Sequence, residues 1–406
     1  MHFMSERINM IGYIKKQIAA TEREFFSIMK HLHENPEVSG DEIETSAFLK
    51  DYAKSLGLDI YDVEGTGFIA TLDTGRCGKT LVIRSDIDAL PLAEENQNLI
   101  GSKRTVSKRE GISHLCGHDA HMTMALWTMK IMSEMKEGIS GRLLFAFEEG
   151  EEIGKGILPM LEALKSLEPI DGVWGMHVAS FVESGLLSLS EGPVMSGVFP
   201  VEIAVKGKGG HCSRPDLSRN PIFAAASIIN ALGSAWANRM SPEHPVSLGL
   251  TTIHGGDSWN AIPDEIKIGG SLRFFDLESG FKAKRILEEV SQHAAKSQNC
   301  TASLMNSEVY TPLRNDIKFV KDIRSMLQQD LGERLVSGHK WYASEPFSRY
   351  GDIYPAAFGF LGTFNEAEGF GAEAHNGRFE VDESILPFGA LVNCLIASKL
   401  LDTNLK

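Results

Sequence analysis

The sequence predicts an α/β domain interrupted by a smaller domain of order strand–helix–strand–strand–helix–strand. Three observations carry this. Apolar strand-like runs alternate with helical stretches up to about residue 193, the pattern then changes to alternating strands with glycine turns, and from about 312 the first pattern resumes and closes in an apolar helix at 385–401. Strands that alternate with helices imply a sheet covered by helices. A chain of 406 residues is also long enough for two cores. The expected boundaries are 1–194 with 308–406 for the larger domain and 195–307 for the insertion.

The elements follow in order. Residues 8–34 place Ile11, Ile14, Ile18, Phe25, Phe26 and Met29 at helical spacing, and Asn35-Pro36 stops the helix. A second helix runs from Glu42 to Leu56, with Gly57 as its C-terminal glycine. FIATL (68–72) and LVIRSD (81–86) read as strands, and the polar stretch 93–115 as a long loop carrying Lys103, Arg104, Lys108 and Arg109. The helix 119–136 shows a methionine stripe suited to core packing. RLLFAF (142–147), a helix at 154–165 and VWGMHV (173–178) continue the alternation. In the insertion, PVEIAVKGKGGH (200–211), a helix at 219–237, VSLGLTTIHGG (246–256), IKIGGSLRFFD (266–276), a helix at 278–296 and TASLMNSEVY (301–310) give a two-layer α+β domain of ferredoxin-like type.

Composition narrows the function. With 43% hydrophobic and 23% charged residues the chain is ordinary for a globular protein, and a net charge of −14 argues against nucleic acid or an anionic membrane as partner. No apolar run is long enough to span a bilayer, and the N-terminus lacks the pattern of a secretory signal. Cys77, Cys116, Cys212, Cys300 and Cys394 are odd in number and unpatterned, which fits a reducing, cytoplasmic setting.

The chemistry begins at HLCGHDAH (114–121), which packs Cys116, His118, Asp119 and His121 into one short segment. Thiolate and neutral imidazole bind borderline-soft divalent ions, and a carboxylate beside a ligand histidine usually fixes its aim. Three further segments bear on this one. EEGEE (148–152) taken alone fits the acidic first turn of the following helix, but Glu148 and Glu149 sit at the end of an apolar strand. His177 in GMHV and His375 in EAHNGRFEVDE would each be unremarkable alone. Strand ends are where sites gather in α/β sheets. Together these residues suit one or two divalent ions, with a spare carboxylate for proton transfer.

Eight segments then resemble, in order, those of the amidohydrolase branch of the aminoacylase/carboxypeptidase metallopeptidase family. They are HLHENPEVSGDE (31–42), RSDIDALPLAE (84–94), HLCGHDAH (114–121), EEGEE (148–152), GMHV (175–178), GKGGHCSRPD (207–216), GGDSWNAIPDE (255–265) and AHNGRFEVDE (374–383). The resemblance implies Cys116, His118, Glu149, His177 and His375 as metal ligands and Glu148 as general acid/base. It implies Asp88 as a carboxylate supporting the centre from behind, and Asp119 takes a similar place beside His118. His211 would stabilise the oxyanion, with Asn260 and Arg273 near the substrate's carboxylate, while His121 lines its helix instead of binding metal. It further implies a central mixed sheet flanked by helices, an inserted lid that forms a homodimer, and one or two ions of zinc, manganese, cobalt or nickel.

Three departures from the family bear on substrate choice, one of them the basic loop at 102–109. Ala146-Phe147 stands where many relatives have Pro-Ala before two glutamates, and SEPF (344–347) where they have Ser-Glu-Asp-Phe. The expected activity is hydrolysis of the amide of an N-acyl amino acid or small peptide-like conjugate. A dipeptidase or aminoacyl exopeptidase is the alternative within hydrolases, and a non-catalytic metal-binding interaction protein the alternative outside them.

Overall fold

A computed structural model describes residues 2–306 and 308–401. The chain forms two units, Met1–Gly192 with Asn315–His339 and Arg349–Lys406, and Pro193–Arg314 with Lys340–Ser348. The insertion thus begins two residues earlier than expected, runs to Arg314 and not 307, and also claims 340–348. The reason is local pairing. Trp341 donates its N–H to Val194 O, and Ser196 N–H reaches Trp341 O and Ala343 O, an exchange with no periodic signature in the sequence.

In chain order the helices and strands are α1 (His2–Glu34), α2 (Ile43–Ser55), β1 (Asp59–Asp62), β2 (Phe68–Asp73), β3 (Thr80–Asp86), α3 (His118–Glu134), β4 (Arg142–Glu148), α4 (Ile157–Ser166), β5 (Gly172–Glu183) and β6 (Leu187–Ser188). The insertion follows with β7 (Gly192–Met195), β8 (Gly197–Lys206), β9 (Gly210–His211), α5 (Pro221–Arg239), β10 (Val246–His254), β11 (Ala261–Ile262), β12 (Glu265–Phe274), α6 (Leu277–Ser297), β13 (Thr301–Leu304) and β14 (Leu313–Asn315). Then come α7 (Ile317–Leu331), β15 (Leu335–Val336), β16 (Ala356–Phe364) and α8 (Leu386–Leu400).

The larger unit is built on one eight-stranded sheet of order β1-β2-β4-β3-β5-β16-β6-β15. Its centre is parallel, since β3 pairs in parallel with β4 and β5, and β5 with β16. One flank is antiparallel, β1 on β2 and β2 on β4, and on the other β6 pairs antiparallel with β16 and parallel with β15. The sheet is therefore mixed, as the family resemblance implied. The central strands are buried on both faces, as parallel strands between helical layers require. Leu81, Ile83, Leu143, Phe145 and Phe147 join a core with α1, α3 and α8, while Val82, Leu144 and Ala146 are equally buried on the other face.

The methionine stripe of α3 is core. Met122, Met124, Met129 and Met132 are all buried, and Trp127 stacks on Phe25 of α1 at 4.7 Å while its indole N–H donates to Thr21 Oγ1 at 2.8 Å. An aromatic pair of this kind adds roughly 0.5–1.5 kcal/mol beyond its buried area. The apolar stretch Glu383–Leu400 has the length and composition of a membrane span, but 78% of it is buried inside the protein. Asn393 on α8 accepts from the Trp174 indole at 2.8 Å, so α8 serves as a core helix with an internal polar tie.

The inserted unit has the four-stranded antiparallel order β10-β12-β8-β13. Helices α5 and α6 pack on it through Ile228, Leu232, Ala283 and Leu287, which meet Val201, Ile203, Leu272 and Phe274. Asn220 caps α5 ahead of Pro221, and Asp276 caps α6 through Ser279 N–H at 2.8 Å. The connectivity is ferredoxin-like, as expected.

The basic loop is tied down internally. Lys103 is buried against Glu94 at 2.9 Å, Lys108 meets Glu34 at 2.7 Å, and Arg109 lies 3.6 Å from Glu37. His33 sits at the centre of this network, with Nδ1 on Asp119 at 2.6 Å and Nε2 on Glu94 at 3.3 Å. Burial pushes this imidazole down, but the bonds to Asp119 and Glu94 outweigh it and raise its pKa to about 10. The folded state therefore holds a proton that the unfolded chain releases near 6.5. Stability from His33 is complete below about pH 6.5 and is lost as pH rises through about 10. Unfolding midpoints measured across that window should fall for the wild type and stay flatter for His33→Gln; parallel curves would contradict the assignment.

Candidate metal centre

Two strands and the start of a helix converge in the larger unit. Strand β3 ends at Asp86 and runs on to Asp88, β5 carries His177, and α3 opens at His118. Gly117 sets the last of these. Its φ is +86°, and a Cβ there would lie 2.4 Å from Val178 Cγ2, so only glycine lets the Cys116–His118 turn rest on β5. His375 is held to the same turn by its N–H to Leu115 O at 2.8 Å, at a φ of +66°. That left-handed conformation costs a non-glycine residue on the order of 1 kcal/mol.

These elements gather Cys116, His118, His177, His375, Glu151 and Glu152. Cys116 Sγ lies 3.5 Å from His177 Nε2, and His375 Nε2 lies 3.0 Å from Glu152 Oε1. His118 Nε2 stands 3.7 Å from Asp86 Oδ2 and 3.9 Å from both Glu151 Oε2 and Glu152 Oε1. Donor atoms within 4.8 Å of one another form three groups, namely Asp86–His118–His121–His177, Cys116–Glu152–His375 and His118–Glu151–Glu152. His118 belongs to two of them, and its Nε2 is buried without a hydrogen-bond partner. Leaving such an atom unsatisfied costs about 1–3 kcal/mol, and a metal ion among these N, S and O donors would satisfy it. The residues present therefore fit a divalent ion.

The surrounding bonds aim these donors. His118 Nδ1 faces Asp88 O at 2.9 Å and Asp88 Oδ1 at 3.1 Å, which leaves Nε2 pointing into the group. Asp88 Oδ2 also accepts from Ser39 at 2.7 Å and from Glu152 N–H at 3.1 Å, so one carboxylate fixes both a histidine and the acidic turn. His177 Nδ1 donates to Val178 O at 2.7 Å and turns Nε2 toward Cys116. His121 differs, because Nδ1 bonds Asp86 Oδ1 at 2.7 Å and Nε2 accepts from Val178 N–H at 3.0 Å. Both its nitrogens are engaged, so it lies within the group without a lone pair to offer.

Burial would push His118 down, but Asp86, the Cys116 sulfur and Asp88 raise it well above the ordinary histidine range. Burial, reinforced by Glu152, pushes the Cys116 thiol well up. Burial would raise Asp86, yet His118, His121 and Arg84 hold it well below the usual carboxylate range.

The structure corrects three expectations from the sequence. Glu148 is not at this centre. It is fully buried, with Arg84 Nε and Nη2 each 3.3 Å from its carboxylate and the Tyr350 hydroxyl donating to Oε2 at 2.5 Å. Glu149 is turned to the opposite side, accepting from Thr66 N–H at 2.5 Å and Thr66 Oγ1 at 2.7 Å. The reason is strand alternation followed by a turn. Successive residues at a strand end face opposite ways, and Gly150, at φ +54°, then starts a 3-10 turn at Glu151–Ile153 that brings the second glutamate pair to the histidines. Asp119, expected beside a ligand histidine, instead holds His33.

The shift also moves one family departure. Phe147 is stacked on Phe68 at 4.7 Å in the core, and the residues ahead of Glu151 are Glu149 and Gly150. The signal that was available is that EEGEE contains two glutamate pairs, and only the second follows the chain-reversing glycine.

The remaining candidates lie in the inserted unit. His211 is exposed on β9, its Nδ1 bonded by Ser213 Oγ at 2.8 Å. Asn260 adjoins β11 with Oδ1 2.5 Å from Ser258 Oγ. Arg273 on β12 donates from Nε to Ser271 Oγ at 3.0 Å, while its Nη1 is buried with no hydrogen-bond partner.

Comparison with known proteins agrees with this architecture. The family model for peptidase family M20/M25/M40 matches residues 82–398. The chain is similar to thermostable carboxypeptidase 1 of Saccharolobus solfataricus, 32% identical over 397 residues covering 97% of this chain and 99% of that protein. It is similar to IAA-amino acid hydrolase ILR1-like 4 of Arabidopsis thaliana, 32% identical over 380 residues covering 92% and 85%. In three dimensions it is similar to a dinuclear metal-binding peptidase of the M20 family from Bacillus subtilis, with a TM-score of 0.80, 28% identity and coverage of 95% and 99%. The chain belongs to peptidase family M20/M25/M40 and is a hydrolase of amide bonds.

Proposed function

We propose that this chain hydrolyses the amide of N-acyl amino acids or similar small conjugates at the Cys116–His118–Glu152–His177–His375 group. The observation that carries this reading is the buried, unpartnered His118 Nε2 facing Glu151 and Glu152. In this reading Cys116, His118, Glu152, His177 and His375 hold one or two divalent ions, of zinc, manganese, cobalt or nickel. A bound ion supplies Lewis acidity, polarising the amide carbonyl and acidifying a water. Glu151, adjacent to the ligand glutamate, takes a proton from the attacking water and returns it to the leaving amine. Asp88 keeps His118 and the Glu151–Glu152 turn in fixed register. His375 has 48% of its side chain exposed, which supports substrate entry from that side.

In the inserted unit, His211 is assigned to the oxyanion, and Asn260 and Arg273 to the substrate's carboxylate. Arg273 Nη1, buried without a partner, supports an anionic ligand there. A homodimer through the lid is supported by β10, an edge strand whose residues 251–254 are exposed. Five free cysteines support a reducing, cytoplasmic setting.

The likeness to a carboxypeptidase favours a second reading, cleavage of free peptides. Acetyl-, benzoyl- and indoleacetyl-amino acids assayed beside dipeptides and longer peptides separate the two. The first group should be turned over with the higher kcat/KM, and activity confined to peptides would overturn the preferred reading. Glu151→Gln should retain metal and lose about 10²–10⁴-fold in kcat, whereas Glu152→Gln should lose metal as measured by elemental analysis. An undiminished kcat in Glu151→Gln would remove Glu151 from the proton transfer.

A further inference from the structure

Glu148 and Arg84 raise a separate question. Arg84, Asp86 and Glu148 are three charged side chains with 5%, 0% and 0% exposure, grouped at the ends of β3 and β4. Asp86 and Glu148 are direct partners in the parallel register of those strands. Buried charge groups of this kind are often no more stabilising than apolar residues of the same volume. Stability therefore gives little reason for the arrangement.

Its geometry gives one. The bonds run in a single line. The Tyr350 hydroxyl donates to Glu148 Oε2 at 2.5 Å, and Arg84 donates to Glu148 from Nε and Nη2 at 3.3 Å. Arg84 Nη1 donates to Asp86 Oδ2 at 2.8 Å. His121 meets Asp86 Oδ1 at 2.7 Å through Nδ1 and accepts Val178 N–H at Nε2 at 3.0 Å. A backbone N–H only donates, so His121 carries its proton on Nδ1 and donates to Asp86. Val178 O in turn receives the Nδ1 proton of His177. The line thus starts at Tyr350 and ends on a histidine of the metal group.

A second consequence concerns His118. Asp86 Oδ2, the atom that Arg84 holds, is 3.7 Å from His118 Nε2. A small rotation of the Asp86 carboxylate would bring it into hydrogen-bond contact with that nitrogen and occupy the atom an ion needs. Arg84 opposes this rotation by fixing Oδ2 from the other side. Glu148 holds the remaining edge of the guanidinium, so Arg84 cannot follow Asp86.

We infer that Tyr350, Glu148 and Arg84 are positioning residues for the metal centre, which hold Asp86 off His118 Nε2 and fix the aim of His177 through His121. This rests on the metal-binding reading above and extends it to residues that touch neither ion nor substrate. It also gives Glu148 a role separate from proton transfer.

The test compares full-length Glu148→Gln, Tyr350→Phe and Glu152→Gln with the wild type. Cobalt(II) is titrated into the metal-free protein, reading both the dissociation constant and the visible absorption spectrum. Kinetics are measured at saturating metal. Loss of such an outer partner typically weakens metal binding about 10–100-fold. Glu148→Gln is expected in that range with a changed cobalt spectrum and a kcat within about tenfold of wild type at saturating metal. Tyr350→Phe, which removes only a hydroxyl, should weaken binding several-fold, and Glu148→Asp should recover part of the loss. Should Glu148→Gln fail to fold, the Tyr350→Phe spectrum and dissociation constant decide the matter.

Unchanged affinity and spectrum in both variants would overturn the inference. So would a hundredfold fall in kcat for Glu148→Gln with metal affinity intact, since Glu148 would then act on the substrate. Glu152→Gln separates the two claims. If it binds cobalt as well as wild type, the metal-centre assignment itself fails. If it loses cobalt while Glu148→Gln does not, only the positioning role fails.

Discussion

A buried imidazole nitrogen with no protein partner is hard to keep. His118 Nε2 is such an atom, and the surrounding bonds explain why it stays unpaired. Asp88 takes the other ring nitrogen through both its backbone and its side chain, so the ring cannot flip to satisfy Nε2 without losing two contacts. Glu152 is tied by its own N–H to the second oxygen of that carboxylate. Arg84 holds Asp86 at a distance. The surroundings of Nε2 are thus set by carboxylates and one guanidinium, each fixed from behind. This is how a binding atom is preorganised, because the cost of ordering the ligands is met in folding instead of binding.

The fold supplies this in a simple way. Strands β3 and β4 end together at Asp86 and Glu148, and the parallel strand β5, which runs on to Glu183, carries His177 beside them. Helix α3 starts at the same edge, and its first residue is His118. The close approach of α3 to β5 depends on Gly117, where a side chain would strike Val178. The methionine and tryptophan stripe of α3 packs with α1 and α8, which fixes the helix along its length and hence the position of its first turn. Core packing and site geometry are therefore linked through one helix.

Much of this was legible in the sequence. The period-2 and period-3.6 patterns located the long helices and the buried strands, and the switch near 193 located the insertion. Cys116, His118, His177 and His375 stood out by residue type and by family resemblance, and they do come together. What was not legible was direction. EEGEE offers four glutamates, and which pair reaches the histidines depends on strand alternation at Glu148–Glu149 and on the left-handed Gly150, which sends the chain back through a 3-10 turn. Periodicity carries no information on such a reversal. The same holds for Asp119, adjacent to His118 in sequence but turned toward His33 because successive helical residues point about 100° apart. The short strands β6 and β15 and the return of 340–348 to the inserted unit were also invisible, since pairings this short leave no periodic pattern in the sequence.

The charge balance of the centre points the same way as its geometry. Asp86, Asp88, Glu148, Glu151 and Glu152 bring five carboxylates to one edge of the sheet, all largely shielded from water, beside the guanidinium of Arg84. Isolated charges in such surroundings cost several kcal/mol each unless paired. Asp86 raises His118 against the effect of burial, and burial raises the Cys116 thiol, so both donors favour their protons. A divalent cation among these donors would replace those protons with a charge that all the ligands share. The Arg84–Glu148 pair is neutral taken together and so leaves that demand for positive charge intact. An arginine without Glu148 would have been free to turn fully toward the acidic group and meet the demand itself. Keeping Arg84 divided between two carboxylates reserves the place beside His118 for the ion.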